Sequence, residues 1–394
     1  MPAACPPTPA PPALPLPGRP DNLLVRGVNW LGDAVLSTPA LLRLRERFPA
    51  ARIALLTPEK LADLWLHHPA VDAVFSFRPD EQPWHLARQL RREHFDLGLI
   101  FPNSPRSAIE LWWARLPVRI GYRRPWRTWF LTHAISRRPD EVKMRKRPAA
   151  EVSRLTRAPA AAPATSRVFA GPPTAAHQLQ LYLHLVGAVG ASTEPVAPTL
   201  RLSDTERASA PETVQRLAGP LPAADRPWLA LNAGAEYGPA KRWPRERFVA
   251  AAGELGRRTG ARWLVLGGAR DVELAREICA AVPDAVALAG RTTLRELMQV
   301  LSACRVLLTN DSGPAHVAAA LGVPVVALFG STAPELTAPG LPGDPRHRIL
   351  RSTVPCAPCF RRDCPIDLRC LQGITVEAAV GAALDLLEAG PLGA

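Results

Sequence analysis

A chain of 394 residues is long enough for two or three domains with large cores, and 47% hydrophobic with 21% charged residues is globular rather than disordered composition. No apolar run reaches the ~20 residues a transmembrane helix needs, and seven cysteines in this length do not make a secreted disulfide scaffold. The net charge of +13 points to an anionic partner (nucleic acid, phospholipid head groups, or a phosphorylated or carboxylated substrate), although an arginine-rich, Ala/Pro-rich composition also produces such a charge by itself.

Residues 1–20, MPAACPPTPAPPALPLPGRP, carry no charged leader region and too much proline for a signal peptide, so a disordered tail and a cytoplasmic chain are expected. Residues 22–27 read as a short buried strand, followed by the glycine-bracketed turn Gly27-Val28-Asn29-Trp30-Leu31-Gly32-Asp33. Ala34 to Phe48 has helical periodicity on Val35, Leu36, Leu41, Leu42 and Leu44, with Pro39 marking a kink or a 3₁₀ start. Asp33 therefore falls at a strand-to-helix corner on the carboxyl edge of a sheet, where α/β proteins place ligands; an ordinary acidic residue opening a helix also suits that position. Strands at 52–57, 73–77, 96–101 and 119–122 alternate with helices at 58–67, 84–92 and 106–113, the rhythm of a doubly wound parallel sheet. This first domain is expected to span 21–190, including a flexible insertion at 136–173 that is basic at first and then rich in Ala and Pro. Between Arg119 and Arg147 there are ten basic residues against Asp140 and Glu141.

A linker is expected at 191–224, a second domain at 225–375, and a terminal helix with its tail at 376–394. Residues 228–234 read as a buried strand entering a Gly-containing turn, and Lys241-Arg242-Trp243-Pro244 leads into a helix at 245–259. Strand 262–266 with Gly267-Gly268, a helix at 272–281, strand 285–289 and a helix at 293–303 repeat the pattern. Residues 305–331, RVLLTNDSGPAHVAAALGVPVVALFGS, then form a strand, a turn at Asn310–Gly313, a helix opened by Pro314 and ended by Gly322, and a second strand. The first turn of that helix offers unpaired N–H groups and a positive dipole end, to which Ser312 and His316 could add donors for a diphosphate. An ordinary crossover with Ser312 as helix cap fits the same residues. Cys356, Cys359, Cys364 and Cys370 have spacing that resembles a zinc or iron–sulfur loop, but the intervals are irregular and the loop carries three prolines, Pro355, Pro358 and Pro365; a packed or redox-labile loop is the stronger reading, with no metal expected.

The segments VRGVNWLGDAVLSTPALLRLRERFP, LNAGAEYGPAKRWPRERF and TNDSGPAHVAAALGVPVVALFGST resemble the bacterial lipopolysaccharide heptosyltransferases of glycosyltransferase family 9. CAPCFRRDCPIDLRCL and RIGYRRPWRTWFLTH look most like the heptosyltransferase II branch, and the resemblance runs from residue 22 to about 388. It implies an α/β GT-B fold, with two Rossmann-like doubly wound domains facing across a cleft. The implied reaction moves L-glycero-D-manno-heptose from ADP-heptose to the phosphorylated Kdo-lipid A inner core, with inversion and with neither cofactor nor metal. By resemblance Asp33 is the general base and Lys241 neutralises the donor diphosphate. Asp311, Ser312, Gly313 and His316 frame the donor, with Asp311 orienting a sugar hydroxyl or backbone amides. Glu236 and Tyr237 are further donor contacts, and Thr292 lies near the adenine. On the acceptor side stand Asn29 and Gly32, with Arg123, Arg124 and Arg127 meeting the acceptor's carboxylates and phosphates. The implied place of work is the inner face of the cytoplasmic membrane, as a peripheral protein. Heptosyltransferase I, or another family 9 nucleotide-sugar transferase, is the nearest alternative. An NAD-dependent dehydrogenase is disfavoured because GVNWLG at 27–32 lacks the G-x-G-x-x-G spacing, and a nucleic-acid binder because no recognition module accompanies the charge.

Overall fold

The computed structural model describes residues 10–16, 18–142, 144–157, 166–169, 175–219, 226–341 and 343–390. Two compact units emerge. Described residues up to Val142 and from 175 to Arg201 form the first; those from 144 to 169 and from Leu202 onward form the second.

In the first unit, Asn22–Arg26 (β1), Arg52–Pro58 (β2), Ala73–Phe77 (β3), Leu97–Ile100 (β4), Val118–Tyr122 (β5) and His133–Ile135 (β6) build one parallel sheet, ordered β3-β2-β1-β4-β5-β6. Leu23, Leu24, Val25, Leu99 and Ile100 are fully buried, which is why the central strands read as continuous apolar runs. The stretch expected as one helix from Ala34 breaks at Ser37 into Leu31–Leu36 and Thr38–Arg47, with Pro39 in the first turn of the second, where its missing N–H costs nothing.

The second unit carries Ser166–Val168 (β7), Trp228–Asn232 (β8), Arg262–Leu266 (β9), Ala285–Ala287 (β10), Leu307–Asn310 (β11), Val325–Phe329 (β12) and His347–Ser352 (β13) in the order β10-β9-β8-β11-β12-β13-β7. All its pairings are parallel except β13 with β7. Trp243, Phe248 and Trp263 fill the core beside β8 and β9, and both indole N–H groups are satisfied, on Ile374 O and Ala252 O, each at 3.0 Å.

Three segments depart from expectation. Within 136–173, Ala149–Arg157 is helical and β7 pairs with β13, so those parts belong to the second unit's fold; the Ala/Pro-rich residues 158–165 lie outside the described residues. Within 191–224, Asp204–Ala208 and Ala210–Ala218 are helices rather than linker, the first opened by a reciprocal Ser203–Glu206 cap and tied down by Arg295 Nε on Glu206 at 2.8 Å. In the tail expected to be disordered, Leu14 donates its amide to Ala188 O at 2.9 Å, while residues 1–9 lie outside the described residues. No helix among the described residues is long and apolar enough to cross a membrane.

Candidate functional site

Apart from the antiparallel edge strand β7, each sheet starts at its middle and winds outward in both directions, so β1/β4 and β8/β11 are neighbours whose connections diverge. In such sheets the crevice beyond the carboxyl ends at this point is the usual place for a ligand.

In the second unit, β8 and β11 both end in asparagine. Asn310 Nδ2 donates to Ala233 O at 2.7 Å, and its Oδ1 accepts from Trp243 N at 2.9 Å, which ties the Lys241 turn to the end of β11. Asn232 Nδ2 donates to Ser312 Oγ at 3.0 Å and Thr309 Oγ1 at 3.2 Å. Ser312 stands at the N-cap position of helix Gly313–Ala320, but its hydroxyl makes no capping bond and turns to Asn232 and Thr309 instead. The cap reading is therefore not what the side chain does. Beside it Lys241 Nζ meets Asp311 Oδ2 at 2.6 Å, with the two side chains 14% and 4% exposed. Asp311 Oδ2 also accepts from Thr332 Oγ1 at 2.5 Å. Gly238, with φ of 150°, presents Lys241; a Cβ there would come 2.6 Å from Arg362 O, so only glycine fits. His316, in the first turn of the same helix, is buried with no partner for Nδ1. Burial pulls its pKa down to about 4, Lys241 adds to that, and Asp311 opposes it, so it is a neutral imidazole near neutral pH.

Tyr237 lies under this pair, its ring centroid 5.0 Å from Lys241 Nζ and its hydroxyl on Phe360 O at 2.8 Å. Glu236 is exposed on the same loop. Thr292 follows β10, two strands away from β8, and precedes Thr293, which caps helix Leu294–Ser302. The structure thus gathers Lys241, Asp311, Ser312, Gly313, His316 and Tyr237, with Thr292 further along the edge. Asn232, Asn310 and Thr332 were not singled out from the sequence; polar residues ending two buried apolar strands are the signal that could have found the first two.

In the first unit, the turn after β1 delivers Asp33 into the first turn of helix Leu31–Leu36. Its charge reaches Tyr182, whose phenol is pushed well above its usual range mainly by burial and next by Asp33. The turn is held from beneath by Arg26, 2% exposed, whose Nε meets the fully buried Glu110 at 2.8 Å and whose Nη1 meets Asn29 Oδ1 at 3.0 Å. Asn29 thus serves the turn itself, with Gly32 half-buried beside Asp33. Arg127 is fully buried, with Nη1 on Asn103 Oδ1 at 3.1 Å just beyond β4, while Nε and Nη2 have no partner. Burial lowers its pKa to about 10. A buried guanidinium without a carboxylate is costly, and an arriving anion would relieve that cost. Arg124 is engaged by Glu141 at 3.7 Å, and Arg123 is exposed.

Cys356, Cys359, Cys364 and Cys370 line one cavity of about 10 Å³ beneath helix Ala149–Arg157. Burial, then the neighbouring thiols, push Cys370 up to about 12 and raise Cys356. Among the described residues no group of three or more His, Cys, Asp or Glu is placed to hold a metal ion.

Residues 142–369 match the model of glycosyltransferase family 9 (heptosyltransferase). The lipooligosaccharide heptosyltransferase 2 of Haemophilus influenzae is 28% identical over 328 residues, 81% of this chain and 86% of its own. The lipopolysaccharide heptosyltransferase 2 of Escherichia coli K12 is 29% identical over 81% of this chain and 85% of its own. Among solved structures, the ADP-heptose lipopolysaccharide heptosyltransferase II of E. coli aligns with a TM-score of 0.71 at 26% identity, covering 93% of this chain and 99% of that one.

Proposed function

This chain belongs to glycosyltransferase family 9 (heptosyltransferase) and is a glycosyltransferase, and from that premise we propose that it transfers L-glycero-D-manno-heptose from ADP-heptose to the heptosyl-Kdo2-lipid A inner core, with inversion, at the inner face of the cytoplasmic membrane. The observation that carries this reading is the Lys241–Asp311 pair set against the first turn of helix Gly313–Ala320 at the β8/β11 switch point.

Asp33 takes the proton of the acceptor hydroxyl as that oxygen bonds to C1 of the heptose. The bond from C1 to the diphosphate oxygen breaks on the opposite face, and ADP leaves with the electron pair. The charge growing on the leaving oxygen meets Lys241 Nζ and the positive end of helix Gly313–Ala320, both in position before the step. These donors stand in for a divalent cation. Asp311, held by Lys241 and Thr332, keeps the ammonium positioned until the diphosphate arrives to share it. Neutral His316 offers a ring donor without charge. Arg127 receives an acidic group of the acceptor, which supplies the anion its unpartnered nitrogens lack, with exposed Arg123 and Glu141-held Arg124 beside it in sequence. Tyr237, Glu236 and Thr292 complete the donor side.

Thermal melting with ADP, UDP, GDP and NAD tests the donor. ADP should stabilise the chain, by about 2.7 kcal/mol at a hundred times its dissociation constant, and stabilisation by UDP alone would remove the heptosyl reading. Transfer to purified cores ending in Kdo or in the first heptose then tests the acceptor. Product on the heptose-ended core alone is expected.

A further inference from the structure

Large apolar side chains exposed together on a folded surface mark a place where something docks. Trp126 and Trp129 are 75% and 79% exposed and meet edge to face with ring centroids 6.1 Å apart. Phe130, next in the chain, meets Trp112 edge to face at 5.4 Å, and Trp112 with Trp113 closes the exposed end of helix Pro105–Trp113. Ring contacts and chain adjacency thus link Trp126, Trp129, Phe130 and Trp112, with Trp113 next to Trp112 at the end of its helix. Trp126 holds φ at 61°, an unfavourable backbone for a bulky residue, and the result is an indole turned to solvent rather than into the core.

The charge around them is one-sided. From 102 to 136 there are six arginines and a single acid, Glu110, and that acid is buried against Arg26 and Arg106. Arg115 and Arg123 are exposed in the same stretch, and exposed Arg91 reaches Trp113 O at 2.7 Å. Just beyond it, Asp140 and Glu141 are engaged by Arg138, Arg124 and Arg137. Tryptophan has an apolar body and one N–H tip, which suits the head-group level of a bilayer, and arginine beside it suits lipid phosphates. Insertion and charge together give the two signals that durable peripheral attachment needs.

We propose that the exposed side chains of Trp112, Trp113, Arg115, Trp126 and Trp129 form a docking surface for an anionic phospholipid bilayer, with the indoles at head-group depth and Arg115 on the phosphates. The inference deepens the proposed function and rests on it only for its purpose, to bring the enzyme to a lipid-borne acceptor.

Flotation of the full chain with vesicles of phosphatidylglycerol and phosphatidylcholine, against phosphatidylcholine alone and with no core lipid present, tests it. Wild type should float with the anionic vesicles and release as salt rises. The double variant Trp126→Ala/Trp129→Ala should lower partitioning at least about tenfold, and Arg115→Gln about fivefold. Both should melt and respond to ADP as wild type does, since these side chains are exposed. Equal flotation of wild type and the double variant would overturn the proposal, as would wild-type flotation with neither vesicle. A dimer in solution that the double variant dissolves would overturn it too, making the patch a subunit interface. Loss of the ADP response in wild type, with vesicle binding intact, would sink the donor assignment and leave this surface standing.

Discussion

Apart from the edge strand β7, the sheets around β1/β4 and β8/β11 have the same strand order and the same winding, yet the two edges are built from opposite materials. Beneath the first lies a charged foundation: Arg26 and Glu110 are both buried, with Phe77 under the guanidinium at 4.4 Å, and Asn29 hangs from Arg26. Beneath the second lies a neutral one, a mesh of amides and hydroxyls from Asn232, Asn310, Thr309 and Ser312. The free ends are reversed. Arg127 reaches the first edge with two nitrogens unpartnered, whereas Lys241 on the second already holds Asp311. A fold that repeats within one chain thus fixes where a ligand goes and leaves its chemistry to the residues after the strands.

The sharpest way to break that contrast is to remove one working group from each edge. Asp33→Ala should lower transfer by about 10²–10⁴-fold, the worth of a positioned general base, without changing stabilisation by ADP. Lys241→Ala should lower it by about 10²–10³-fold, as for a lost donor at a developing anion, and should weaken the ADP response as well. If both variants kept wild-type transfer, the assignment of acceptor and donor chemistry to the two edges would fail.

Much of this contrast could be read in the sequence, and what could not was tertiary. The strands beneath both sites announced themselves because burial on two faces demands unbroken apolar runs, as in Leu23–Val25 and Leu229–Leu231. β6 and β7, three residues each, are too short to show a period, and β13, His347-Arg348-Ile349-Leu350-Arg351-Ser352, carries charged side chains that hid it. Asp33 could be placed from its own turn. The Lys241–Asp311 pair could not, because its members lie 70 residues apart and meet only when β8 and β11 pair. Asn232 read as the polar end of a strand and Asn310 as a turn residue until the groups they bond were in place. The arginines of 119–147 looked equivalent in sequence; burial separates Arg127 from Arg123 and gives the first an unmet charge.

The two foundations should also differ in what their loss costs. Glu110→Ala leaves Arg26 as a buried charge without its main partner, and about 3–5 kcal/mol of stability should go with it. Asn310→Ala removes neutral hydrogen bonds from Ala233 and Trp243 and should cost about 1–3 kcal/mol. Urea denaturation of the two variants beside wild type orders them. A larger loss for Asn310→Ala would mean that the amide mesh, not the ion pair, is the more demanding foundation.

Acid should expose the neutral foundation more gently. Burial holds His316 at about 4 from an ordinary 6.5 in the second unit, and His68 and His184 in the first and His347 in the second are also held at about 4 mainly by burial. Each is neutral when folded and protonates in the unfolded chain between those values, so the unfolded state binds more protons there and stability falls as the pH drops from 6.5 toward 4. At about 1.4 kcal/mol per unit, a fully buried histidine contributes on the order of 3 kcal/mol across that window. His316→Gln should therefore flatten the loss of stability between pH 7 and pH 4.5 by roughly that amount, read by urea denaturation at each pH. An unchanged slope would mean that His316 takes up its proton within the folded chain, with the Asp311 carboxylate stabilising the imidazolium.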